Sequence, residues 1–300
     1  MLRHDLRIPE RVSSLSHEIY VLRIEGVTEY QIAMILGVVE GVTEFLPISS
    51  TGHLILAGKA LEFPDDKAQI FNVVIQLGAI SSVLVLYRHR FAALLQGSRS
   101  TDYLRSLWQP GLNGSAGMLK LAMVTFPILA LGFLGKDFIE ERLFFPDSVA
   151  IAMAVGALVI LLIERRNRGG GGFDAESLTW KQALIIGCIQ CFALWPGMSR
   201  AASAIIGGML IGFNRKAATE FSFLAAVPAL AAAALAKFFG AFHTMTAHDL
   251  ELIAIGFVIS FFTAILSIKC FIGIVSHWSL RPFAFYRLAL AAVVLIVLWR

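Results

Sequence analysis

Two glutamates four residues apart, Glu40 and Glu44, stand in an otherwise apolar stretch and would share one face of a helix. An ionised side chain at membrane depth costs on the order of 2.5–3.5 kcal/mol on insertion scales, and two together repel unless a cation or a proton separates them. Such a pair suits a divalent metal, or one ligand and one acid/base; the plainer alternative is two groups solvated in a watery vestibule. Ser49, Ser50, Thr51 and Gly52 follow, a small hydroxyl-rich bend ahead of a helix expected to start near His53. Backbone N–H groups at a helix start, with serine hydroxyls beside them, form an anion cradle, whereas N-capping alone uses one hydroxyl of the three. His53 adds a titratable nitrogen. In a second apolar stretch Ser199-Arg200 follows Trp195-Pro196-Gly197-Met198. The arginine can grip phosphate oxygens through a planar fork; a salt bridge to Glu40 or Glu44 is the competing use. Two carboxylates, a hydroxyl cradle, a histidine and an arginine suit phosphoryl transfer. The nucleophile stays open between Ser50, His53 and a metal-bound water.

These residues need walls to hold them, and the composition says what the walls are. Of 300 residues, 57% are hydrophobic and 15% charged, against roughly 25% charged in a typical soluble domain. That much apolar surface exceeds what one core can hide, so lipid is the solvent for much of it, and a substrate held there carries a lipid chain. The net charge of +4 is spread between apolar runs rather than along one stripe, which excludes a nucleic-acid partner and fits membrane orientation. Cys188, Cys191 and Cys270 lie in apolar segments; with no second pair beside the C-x-x-C, they read as small buried packing residues. Residues 1–29 mix both charge signs without an apolar centre and read as a polar extension, with no signal peptide.

Six apolar runs, near 68–87, 117–135, 147–163, 215–239, 251–275 and 284–299, approach the ~20 residues that cross a hydrocarbon core. Stretches 30–63 and 181–213 are different. Each is broken by a Pro/Ser/Gly bend into two arms too short to cross, and each reads as a re-entrant hairpin. Irregular backbone at that depth is tolerated only where protein buries it or water lines it, so the breaks mark the site. The hairpins also match: Ile35–Glu40 aligns with Ile185–Gln190 at an offset of 150, and Ser50 with Ser199 at 149. Gln190, opposite Glu40, becomes a neutral polar partner at the phosphate. The expected fold is all-α: six transmembrane helices plus two re-entrant hairpins in an inverted-topology repeat. One membrane domain, 30–300, divides into repeat one (about 30–163), a Gly-rich flexible linker (164–180) and repeat two (about 181–300). Three crossings per repeat make the repeats antiparallel. Loops 88–116 and 164–181 carry the densest arginine and fall to the cytoplasm, with 136–146 and 240–250 outside.

The run Gly37-Val38-Val39-Glu40-Gly41-Val42-Thr43-Glu44-Phe45-Leu46-Pro47-Ile48-Ser49-Ser50-Thr51-Gly52-His53 resembles the first signature of the bacterial undecaprenyl pyrophosphate phosphatases, the bacitracin-resistance family. Ala193-Leu194-Trp195-Pro196-Gly197-Met198-Ser199-Arg200 resembles the second, and Glu220–Leu224 and Ala284-Phe285-Tyr286-Arg287 add further matches. The resemblance implies removal of the terminal phosphate of undecaprenyl pyrophosphate at the outer side of the bacterial cytoplasmic (inner) membrane, which recycles the lipid carrier for peptidoglycan synthesis. It implies a divalent cation, Mg2+ or Ca2+, at Glu40 and Glu44. It also implies catalytic roles for Glu40, Glu44, Ser50, His53 and Arg200, and phosphate binding by Ser49, Thr51, Gly52, Ser199, Arg200 and Gln190. Partners are then the bilayer and a polyprenyl pyrophosphate lipid, with a homodimer left open. One departure stands out: where the family's second signature continues with a serine and a threonine, this chain has Ala201 and Ala204, with Ser203 between them. The rival reading is a polyprenyl-phosphate flippase, since paired broken helices also build transporters.

Overall fold

The computed structural model describes residues 26–95, 111–143, 145–166 and 172–298. Most of the polar extension therefore lies outside the described residues, as do Arg99 and Arg105 of the first basic loop and Gly169–Gly171 of the linker. Among the described residues there are helices and a single isolated bridge, Phe173 with Phe213.

The first hairpin is α1 (Glu29–Thr43) and α2 (Ser50–Ala60); the second is α8 (Trp180–Gln190) and α9 (Arg200–Leu210). Both open on the same local chemistry. Thr28 accepts from the N–H of Gln31, and the Gln31 amide oxygen accepts from the Thr28 N–H at 2.9 Å. Thr179 and Gln182 repeat that reciprocal capping box, again with a 2.9 Å bond.

After the first hairpin come α3 (Asp65–Leu86), α5 (Gly114–Leu134) and α7 (Pro146–Arg166); after the second, α10 (Arg215–Ala241), α11 (Ala247–His277) and α12 (Arg281–Leu298). Five stretches are long and apolar enough to cross a membrane: Lys67–Leu86, Gly114–Leu134, Asp147–Arg166, Arg215–Thr244 and Ala247–His277. They coincide with five of the six expected spans; α12, 18 residues long, is not among them. Their outer faces are bare hydrocarbon: Phe133 is 83% and Phe262 64% exposed, which only a lipid solvent accommodates.

The packing crosses between the two halves of the chain. α1 lies on α11 and α8 on α5, while α3 also meets α11, α10 also meets α5, and α7 pairs with α12. Glycines set these contacts. A Cβ on Gly41 would stand 1.9 Å from Thr263 Oγ1 and 2.5 Å from the Ser260 carbonyl, and one on Gly187 would stand 2.7 Å from the Met123 carbonyl.

Three expectations need correction. The loop from 88 opens with a helix, α4 (Arg88–Leu95), and the loop 136–146 contains α6 (Lys136–Arg142), because each carries a run of good helix formers. The end of the linker is docked rather than loose: Phe173 exchanges backbone hydrogen bonds with Gly212 and Asn214, and Glu176 pairs with Arg90. Cys188 and Cys270 are exposed and Cys191 is half-buried; on membrane helices the apolar thiol finds lipid as acceptable as a protein core.

Candidate active site

Ser49 and Ser199 close the two breaks in the same uncommon conformation. Both have φ of 74°, in the left-handed region, which costs a non-glycine residue on the order of 1–3 kcal/mol and persists only where the surroundings enforce it. In that pose each serine caps the helix it precedes. Ser49 Oγ accepts from the Gly52 N–H at 3.4 Å, and Ser199 Oγ from the Ala202 N–H at 3.2 Å. Helix α2 thus begins at Ser50 rather than near His53, and α9 begins at Arg200.

One carboxylate joins the two helix starts. Glu44 Oε2 accepts from the Ser50 hydroxyl at 2.5 Å, and Oε1 accepts from Arg200 Nη2 at 3.1 Å and Nε at 3.4 Å. Arg200 Nη1 donates to the Ser222 carbonyl at 3.1 Å. The Glu44 and Arg200 side chains are 5% and 9% exposed, so charge and countercharge meet away from bulk water, where their interaction is strongest. Of the two uses foreseen for Arg200, the salt bridge is the one realised in this structure, and it is made to Glu44 rather than Glu40.

Glu40, one turn earlier on α1, is fully buried, and among the described residues neither of its oxygens has a hydrogen-bond partner. A buried carboxylate in that condition needs a proton or a cation. Among the described residues no cluster of three or more His, Cys, Asp or Glu could hold a metal. The donors present still fit a hard divalent ion, since Mg2+ is commonly bound by one or two carboxylates completed by water and substrate phosphate. Glu40, with Glu44, would supply those carboxylates.

The other expected residues distribute unevenly. His53 faces α12: its Nδ1 is 2.7 Å from the Ser49 carbonyl and its Nε2 2.7 Å from the Tyr286 hydroxyl. A carbonyl only accepts, so Nδ1 carries the proton and Nε2 takes the Tyr286 O–H in the neutral ring. Gly52 is buried against Met153, whose Sδ would lie 3.1 Å from an added Cβ; Thr51 is half-buried beside it. Gln190 is not joined to this group. Its Nε2 donates to the Val124 carbonyl of α5 at 3.2 Å, and no hydrogen bond links it to Glu44, Ser50 or Arg200. It faces α5, the span on which its own helix α8 rests. Ser203 returns its hydroxyl to the Ser199 carbonyl at 3.0 Å, so it does not replace the hydroxyls absent at Ala201 and Ala204. Two residues given no role from sequence belong to the site's frame, Tyr286 and Arg287. The signal that could have found them was an arginine inside the last apolar run, an intramembrane charge like the others.

The description "Bacitracin resistance protein BacA" matches residues 33–293 of the chain. A protein of Maridesulfovibrio salexigens named undecaprenyl-diphosphatase is 46% identical over 263 residues, 88% of this chain and 96% of that protein. Proteins of the same name from Nitratidesulfovibrio vulgaris and Acinetobacter baumannii are 47% and 42% identical, covering 87% and 88% of this chain and 96% and 94% of theirs.

Proposed function

This chain belongs to the bacitracin resistance protein BacA family, and from that membership we propose that it is an undecaprenyl-diphosphatase, hydrolysing undecaprenyl pyrophosphate to undecaprenyl phosphate and inorganic phosphate. The observation that carries the reading is the Glu44 carboxylate, held on one oxygen by the Ser50 hydroxyl and on the other by Arg200. The terminal phosphate enters between the helix starts and takes over the Arg200 fork, for which two parallel N–H bonds to phosphate are better matched than two bonds to one carboxylate oxygen. Released from the arginine, Glu44 is the base, already at 2.5 Å from a hydroxyl. Ser50 Oγ attacks the terminal phosphorus as its proton passes to Glu44. The bond from that phosphorus to the bridging oxygen breaks, and undecaprenyl phosphate leaves. Water then frees inorganic phosphate from the serine, returning the proton. The positive ends of α2 and α9 and the Arg200 charge stabilise the phosphoryl oxygens throughout. A divalent cation, Mg2+ or Ca2+, at Glu40 and Glu44 would neutralise charge on those oxygens.

The proposal sets the protein in the bacterial cytoplasmic membrane, with the reacting groups reached from the outer side. The arginine-rich segments support this, since they belong on the cytoplasmic face. The product re-enters cell-wall synthesis as the free carrier, and loss of the pyrophosphate form is what confers bacitracin resistance. Every group invoked comes from one chain, so the scheme needs no homodimer. The test is phosphate release from undecaprenyl pyrophosphate by the reconstituted protein, with and without chelator, alongside lipid translocation in the same vesicles. Chelator-sensitive release supports the scheme; translocation without any release would reject it in favour of a carrier.

A further inference from the structure

Helix α12 brings to the two breaks a side chain that the scheme above does not use. Arg287 is fully buried, and among the described residues its hydrogen bonds go to main-chain carbonyls and to no carboxylate. Nε donates to Met153 at 3.2 Å and Nη1 to Pro47 at 3.2 Å. Nη2 lies 2.9 Å from Met198, 3.0 Å from Gly197 and 3.4 Å from Ala152. Pro47 lies in the first break, two residues before Ser49; Gly197 and Met198 lie in the second, directly before Ser199. Ala152 and Met153 belong to α7.

Broken helices leave carbonyls without helical donors at a depth where water cannot supply them. A guanidinium answers with five N–H groups in a fixed plane, which no other side chain offers. The space is shaped for it: a Cβ on Gly156 would lie 2.2 Å from Arg287 Nη2 and 2.9 Å from Met198 Sδ. If this volume needed only filling, an apolar side chain would do so without burying a charge.

We infer that Arg287 is a positioning residue for the hydrolysis: it fixes the register of the first break against the second, so that Glu44 and Ser50 from one and Arg200 from the other meet on a single phosphate. Glu44 ties the breaks through side chains, and it must let go of Arg200 when substrate arrives. Arg287 ties them through the backbone and holds throughout the cycle. The inference rests on the diphosphatase reading.

The experiment compares full-length Arg287→Lys, Arg287→Met and Gly156→Ala in reconstituted vesicles, scoring kcat and KM for phosphate release per folded, monodisperse protein. Gly156→Ala leaves the arginine in the sequence and pushes it off its carbonyls. A misplacement of about 1 Å can cost on the order of a hundredfold. The expected result is a loss of that size in kcat for Gly156→Ala and Arg287→Met, with KM little changed and a smaller loss for Arg287→Lys. In an Arg200→Lys background the Gly156→Ala loss should shrink to within about twofold, because the register no longer has an arginine to aim. Parental kcat in folded variants, an undiminished loss in the Arg200→Lys background, or no folded protein from any of the three would each overturn the inference. A parental protein that releases no phosphate would instead overturn the diphosphatase reading.

Discussion

Glu44→Gln keeps the shape of the side chain that joins the two breaks and removes its charge. The amide can still accept from Ser50, but Arg200 is left as a buried cation with one carbonyl for company. Phosphate release should fall about a hundredfold or more, since base and countercharge go together. A variant within threefold of the parent would show that Glu44 is structural. Arg200→Lys tests the other side of the pair: an ammonium keeps the charge but not two parallel donors, and most activity should be lost, as read by initial rates at saturating substrate. Both residues were legible in the sequence because charge inside an apolar run is costly and seldom idle. Glu40 was legible for the same reason, and Ser50 and His53 from the hydroxyl-rich bend in which they sit. Gln190 aligns with Glu40, but an alignment names an equivalent position and not its hydrogen-bond partner, which here is the Val124 carbonyl of α5. Arg287 was overlooked because its partners are carbonyls about 90 to 240 residues away, and carbonyls have no signature in a sequence.

At the level of elements, the hairpins depend on close approach rather than on large side chains. Gly41→Ala would drive a methyl group into Thr263 and the Ser260 carbonyl on α11, and backbone cannot swing aside as a flexible side chain can. We expect a loss of about 1–3 kcal/mol, seen as a lower unfolding temperature in detergent, with activity falling in step because Glu40 and Glu44 ride on the same helix. Gly240→Ala, where an added Cβ meets nothing within 4 Å, is the control and should be silent. The short arms and their breaks could be read from length and punctuation alone, and the shared T-x-x-Q starts were present in the letters. What could not be read was the exchange of partners, in which each hairpin rests on the other repeat's span. Apolar periodicity says which face is buried and never against what.

Across the whole molecule, the two halves and the basic segments predict an orientation. Tags inserted within 88–116 and 164–181 should be protected in right-side-out vesicles, and tags within 240–250 should be reached by added protease. Finding 164–181 and 240–250 on one side would end the inverted arrangement. The crossed packing also governs how the protein can be made. Helix α1 leaves the ribosome well before the surface it rests on, α11 at Ala247–His277. Until α11 has been made, the first hairpin, with Glu40 and Glu44 on it, is without its partner. Short helical arms with buried charges are poor free-standing inserts. The newborn chain must therefore either be chaperoned at the translocon until α11 emerges, or hold the hairpin at the membrane surface and draw it in at the end. Enzymatic competence then arrives only after α11 has been translated and the first hairpin has docked on it.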